Sequence, residues 1–158
     1  MDKTELDRFD RRILEELQRD GGLSNQELAD RIGLSASPCS RRVHALEESG
    51  LILRRVALLD RQKLGLSLTA LVHISMDLHT PERFAVFEGK IRGYREVLEC
   101  YLITGQKADY QLKVVVSDMD HFQEFLLNRL TRIEGVTGVH SSFVLRRVVD
   151  TTELPIEY

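Results

Sequence analysis

The chain has 158 residues, 42% hydrophobic and 30% charged, an ordinary globular composition with room for one domain or two small ones. No apolar run approaches the ~20 residues needed to span a bilayer, and the charged opening MDKTELDRFDRRI lacks the apolar stretch of a signal peptide, so a cytoplasmic protein with no membrane partner is expected. The net charge of −3 argues against wholesale nucleic-acid affinity, and two distant cysteines, Cys39 and Cys100, make neither a disulfide framework nor a metal set.

In LDRFDRRILEELQRDGG, Leu6, Phe9, Ile13, Leu14 and Leu17 recur at helical spacing until Gly21-Gly22 stops the helix. SNQELADRIG opens on Ser24 with Glu27 three residues on, a capping box, and ends on Gly33. LSASPCSRRVHALEESG gives a third helix, with Pro38 in the first turn and Ser35 or Ser37 as its cap, closed by Gly50. Ala29 and Gly33, four apart, let the third helix cross close above the second, which predicts a helix-turn-helix. LILRRVALLDRQKLG then reads as a strand, a turn and a returning strand, a wing.

After Gly65 the pattern changes. LSLTALVHISM alternates as a half-buried strand, TPERFAVFEGKIRG is a helix capped by Thr80, and VLECYLITG and DYQLKVVV are strands. SDMDHFQEFLLNRLTRIEG is a helix with Ser117 as its expected cap, and VTGVHSSFVLRRVV is the last strand. The order is βαββαβ, a ferredoxin-like arrangement. The expected class is α+β: a winged helix-turn-helix domain over residues 1–60, a linker over 61–66 and a ferredoxin-like domain over 67–158.

Charge is local. Between Arg31 and Leu59 the chain carries +3, so the remainder carries −6. On the third helix, Cys39, Val43 and Leu46 point to the core, and Ser37, Arg41, His44 and Glu48 point away at a hundred degrees per residue. An arginine grips guanine O6 and N7, and serine or histidine reaches other base edges. Ser40 and Arg42 flank that row and suit phosphates, and Arg54 and Arg55 on the wing suit backbone or minor groove. Double-stranded DNA is the implied partner. No spacing among the five histidines makes a metal pair, no nucleophile motif or phosphate loop occurs, and no cofactor is called for. His73 and His140 read as sheet-surface residues. The loop ITGQKADY, 103–110, joins two strands with a glycine and one carboxylate.

The run LDRFDRRILEELQRDGGLSNQELADRIGLSASPCSRRVHALEESGLI, then ALLD, TG…DY and GV…SSFVL…TTELPI, resembles the Lrp/AsnC (leucine-responsive, feast/famine) family from Leu6 to Ile156. The resemblance implies a transcriptional regulator that senses an amino acid or related metabolite, dimerises through its C-terminal domain and assembles into octamers. It places the effector between protomers near Thr104, Gly105, Gln106, Asp109 and Tyr110, with a neighbour contributing around Ser141 and Ser142. Backbone N–H groups near Gly105 suit an α-carboxylate and Asp109 an α-ammonium. The family usually has an acid directly after the glycine; Gln106 stands there and Lys107 adds a positive charge. The competing reading is a ligand-sensing regulatory subunit of an enzyme, its helical half a protein-docking module. An enzyme on the second half would need an acid–base pair, and only Asp109 and scattered histidines are on offer.

Overall fold

A computed structural model describes residues 6–105 and 108–156. The chain divides into two compact units: one gathers the residues up to Leu59 and those from Val149 on, the other is Asp60–Val148.

The helical unit holds α1 (Arg8–Arg19), α2 (Asn25–Ile32) and α3 (Ala36–Glu48). Ile13, Leu28, Ala29, Ile32, Cys39, Val43 and Leu46 form its buried core. Each helix start is defined by side chains that satisfy amides the helix leaves unpaired. Asp7 caps α1, accepting from the N–H groups of Phe9 and Asp10, and the Asp10 carboxylate returns a bond to the Asp7 N–H, a capping box. Ser24 and Glu27 do the same for α2, as their spacing predicts. For α3 the cap is Ser35, with no side-chain bond, and Ser37 lies inside the first turn. Gly33 ends α2 at φ 75°, ψ 38°, and the N–H groups of Gly33 and Leu34 both reach the Ala29 carbonyl. This left-handed residue turns the chain into α3 within three residues.

Three details differ from the expectation. Within the chain, residues 53–60 after α3 carry no strand pairing. Residues 60–66 form a coil, where the Asp60 carboxylate accepts from the N–H groups of Gln62 and Lys63 and the Leu66 N–H reaches the Arg61 carbonyl. The expected linker is thus an ordered turn of the second unit. The closing segment, expected in the second domain, belongs to the helical unit: the Gln18 amide donates to the Leu154 carbonyl (3.1 Å) and accepts from the Leu154 N–H (2.5 Å), and Glu153 lies 3.5 Å from Arg19. The sheet ends at Phe143, and the backbone groups of Leu154 find strand-like partners on a glutamine instead. The third correction is the last helix, capped by Asp118 rather than Ser117, because the Asp118 carboxylate accepts from the His121 N–H at 2.8 Å.

The second unit is β1 (Leu68–Met76), α4 (Pro81–Ile91), β2 (Val97–Leu102), β3 (Tyr110–Val116), α5 (Met119–Asn128) and β4 (Val136–Phe143), with a 3-10 turn at Leu130–Arg132. The strands form one antiparallel sheet in the order β2-β3-β1-β4, the ferredoxin-like topology. Ala70, Val72, Ile74 and Met76 of β1 and Tyr110, Leu112, Val114 and Val116 of β3 are buried with Phe87, Ile91, Phe122 and Phe125 of the helices. The alternate residues line the other, open face.

Gly33→Ala should lower the stability of the helical unit by about 1–2 kcal/mol, since the loss is purely one of backbone conformation: an added Cβ meets nothing within 4 Å. Gly33→Asn should lose less. Denaturant titration checks both.

Acid stability follows from the caps. The Asp10 N–H on Asp7, the Ser24 hydroxyl on Glu27 and the His121 N–H on Asp118 hold these carboxyls below their usual range. A folded-state pKa below the unfolded one stabilises above the unfolded value and is lost as pH falls through the folded one. Stability should therefore be level above about pH 5 and decline in acid below about pH 4. Asp7→Asn, which keeps the cap without the charge, should give a shallower decline.

Candidate nucleic-acid and effector sites

On α3, Cys39, Val43 and Leu46 are 0%, 4% and 5% exposed, and Ser37, Arg41, His44 and Glu48 are exposed on the opposite side. The helical wheel read from the sequence is the wheel the core enforces. Along that row Arg41 makes no hydrogen bond or ion pair among the described residues. His44 Nε2 lies 3.3 Å from Glu48, both well solvated, so the pair contributes little. Ser40 accepts a hydrogen bond from the Asn25 amide (3.2 Å), which joins the first turns of α2 and α3. Asn25 was not singled out by its sequence position; its proximity to Ser40 comes from the crossing of the two helices.

Arg42 is corrected: it is not a free phosphate contact. Its Nη1 stands 2.7 Å from Asp7 Oδ2 and 2.7 Å from Asp10 Oδ1, and its guanidinium lies over the Phe9 ring. It is half-buried and ties α3 to the start of α1. Arg55 is held 3.1 Å from Glu47, and Arg31 lies 3.1 Å from Glu16. Of the five arginines between residues 31 and 59, Arg41 and Arg54 alone keep their charge unpaired among the described residues. Arg54 lies on the exposed extended segment.

At the end of the β2–β3 connection Asp109 is tied into the sheet. Asp109 accepts from the Met76 N–H (2.7 Å) through one carboxylate oxygen and faces His79 Nε2 (2.7 Å) with the other. Its backbone N–H donates to the Ile74 carbonyl and its own carbonyl accepts from Ile103. Asp109 thus pins the end of β1 to the start of β3. Tyr110 is corrected outright: it is 1% exposed, packs against Phe84 and Phe87, and donates its hydroxyl to Glu88 (3.0 Å). Burial raises its pKa. Thr104 and Gly105 are exposed, Gly105 at φ 88°, and Gln106 lies outside the described residues. His79, thirty residues before Asp109, is the polar neighbour that sequence spacing could not supply; only the pairing of β1 with β3 brings it there. Ser142 lies on the open sheet face and Ser141 on the helix side, as their partners Leu71 and Val72 dictate.

No helix among the described residues is long and apolar enough to cross a membrane.

Helix α3 against α2, followed by the ferredoxin-like sheet, defines a helix-turn-helix protein with an appended ligand-binding module. Family models agree: residues 6–52 match a winged helix-turn-helix DNA-binding domain, and residues 69–154 match the Lrp/AsnC ligand binding domain. The chain is 41% identical to the Bkd operon transcriptional regulator of Pseudomonas aeruginosa over 96% of this chain and 99% of that protein. It is 39% identical to the DNA-binding transcriptional activator DecR of Escherichia coli, over 96% and 99%. A crystal structure of a Neisseria meningitidis transcriptional regulator in complex with L-Met, 39% identical, superposes with a TM-score of 0.91 over 95% of this chain and 96% of that one. The chain belongs to the Lrp/AsnC family of DNA-binding transcriptional regulators.

The two adjacent arginines should separate by measurement. Arg42→Ala should lower the stability of the helical unit by about 1–2 kcal/mol, because Asp7 and Asp10 lose a charged hydrogen-bond partner. Arg41→Ala should leave stability within about 0.5 kcal/mol of the parent. Equal effects in urea titrations would contradict this division of roles.

Proposed function

We propose that α3 reads duplex DNA in the major groove through Ser37, Arg41 and His44, with Ser40 and Arg54 on phosphates, and that an amino acid or related metabolite modulates this binding in the cytoplasm. The observation that carries the reading is the unpaired, exposed Arg41 in mid-row, opposite Cys39, Val43 and Leu46. A dimer presents two such helices to half-sites about one helical turn (~34 Å) or a multiple apart. Assembly into octamers adds avidity. The reading contains no catalytic step, in keeping with relatives that are transcriptional regulators.

For the effector, the described polar surface is the exposed Thr104 and Gly105, where backbone amides suit a carboxylate. The Asp109–His79 pair supplies the complementary charge; Asp109 keeps a spare lone pair on each oxygen for an ammonium group. Tyr110 acts only from beneath, by packing. The L-Met bound to the Neisseria relative supports an amino acid as ligand class. An effector acts only if it binds two arrangements of the protein unequally.

Promoter-fragment binding is the test. Affinity should fall linearly on a log–log plot against salt. Arg41→Ala should lose about 1–3 kcal/mol of preference for the specific site, and Arg54→Ala should weaken all sequences alike and reduce the salt slope by about 1. Across a panel of amino acids, at least one should change DNA affinity by about 5–150-fold or shift the oligomeric state. An Arg41→Ala protein that prefers its site as strongly as the parent overturns the assignment of α3. No response to any amino acid overturns the sensing role.

A further inference from the structure

We infer that Asn25, the first residue of α2, is a positioning residue for DNA: its side-chain amide holds the Ser40 hydroxyl of α3 as a hydrogen-bond donor to a backbone phosphate. The inference rests on the proposed docking of α3 and deepens it. It starts from one contact between the two helices, in which Asn25 Nδ2 donates to Ser40 Oγ at 3.2 Å.

Asparagine at the start of a helix ordinarily spends its side chain as the cap. Here Ser24 holds that position and accepts from the Glu27 N–H, and the Glu27 carboxylate accepts from the Ser24 N–H (2.9 Å) and hydroxyl (2.7 Å). The Gln26 amide bonds to Asp30 at 2.9 Å. Ser24, Gln26 and Glu27 are thus spent around their own helix, and Asn25, one residue past the cap, reaches α3 instead. The contact spans fifteen residues of sequence and exists because Ala29 and Gly33 let the two helices cross closely.

A serine inside a helix commonly donates its hydroxyl back to the carbonyl four residues earlier. Ser40 makes no such bond: among the described residues its hydroxyl accepts from Asn25 and donates to nothing. A hydroxyl has one proton and two acceptor lone pairs. The amide hydrogen of Asn25 takes a lone pair and leaves the proton for an outside partner. Phosphate oxygens of DNA accept hydrogen bonds, so a hydroxyl already fixed as a donor matches them. The incoming N–H also polarises the O–H and strengthens it as a donor. Glu27, the carboxylate of the same turn, is engaged by Ser24 and does not compete for that proton. Ser40 is half-buried and adjacent in sequence to the exposed Arg41, so its phosphate contact fixes the height at which Arg41 meets the base edges.

The test is ethylation interference, together with affinity measurements, on the full chain and a promoter fragment that the parent binds specifically. Ser40→Ala should weaken binding to this fragment and to unrelated duplex alike, by about 2–12-fold, and should lose interference at one phosphate per half-site. Asn25→Ala should lose interference at the same phosphate and weaken both duplexes alike by about 2–5-fold, with the parent's unfolding midpoint and salt slope. In a Ser40→Ala background, Asn25→Ala should have no further effect. Asn25→Asp reverses the bond, because its carboxylate accepts the Ser40 proton, and should weaken binding more than Asn25→Ala does. Parental affinity and interference pattern in Asn25→Ala, beside a Ser40→Ala protein that loses its phosphate, would overturn the inference and leave the docking of α3 standing. Additive losses in the double variant would overturn it as well. A Ser40→Ala protein with the parental pattern would remove the phosphate contact and the inference with it, whereas the docking of α3 is read from Arg41→Ala.

Discussion

The surface of α3 is set by what its other side buries. Cys39, Val43 and Leu46 complete a core with Ile13, Leu28 and Ile32, and each large apolar side chain buried there contributes about 1.5–3 kcal/mol. Rotating the helix by one residue would expose that core and turn Ser40, His44 and Glu47, or Pro38, Arg42 and Ala45, into it. The helix therefore has one orientation, and it turns Ser37, Arg41 and His44 to solvent as a consequence of packing rather than of any attraction for DNA. Gly33 works with this constraint: its left-handed backbone lets α3 start three residues after α2 ends, and Ala29 leaves room for the crossing.

Charge is then sorted by neighbours. An acidic chain holds a basic surface because most of its arginines are neutralised at home. Arg42 is drawn to the Asp7 and Asp10 carboxylates, whose capping box already fixes them at the head of α1. Arg31 and Arg55 are drawn to glutamates. Of the five arginines between residues 31 and 59, Arg41 on α3 and Arg54 on the extended segment remain exposed and unpaired among the described residues. A polyanion sees this surface, not the average of −3. In the other unit the same logic takes Asp109 out of solvent: bonded to Met76 and facing His79, it holds the sheet edge together and lends only its remaining lone pairs to a ligand.

Much of this was legible in the sequence, and the exceptions share a cause. Helical periodicity, the Ser24–Glu27 box and the strand alternation of residues 68–76 and 110–116 are local signals, and each element formed where it was expected. The outward row on α3 was legible because burial at 3.6-residue spacing leaves little choice. What failed depended on partners distant in sequence. Arg41 and Arg42 are adjacent and chemically identical, and only the approach of α1, thirty-two residues away, separates them. Tyr110 reads as a loop-side polar residue until Phe84 and Phe87 close over it. The tail reads as the end of a sheet domain, but the backbone of Leu154 bonds to the Gln18 amide, 136 residues earlier.

The account stands on α3 entering the major groove with Arg41 on a guanine. Dimethyl sulfate protection of a bound promoter fragment tests this most directly, because the reagent reports guanine N7 in that groove. The account predicts protected guanines in two patches about one helical turn, or a multiple, apart, with protection at the Arg41-contacted guanine lost in Arg41→Ala while binding persists at low salt. Full reactivity of every guanine N7 in the parent complex, or unchanged protection in the variant, would contradict it.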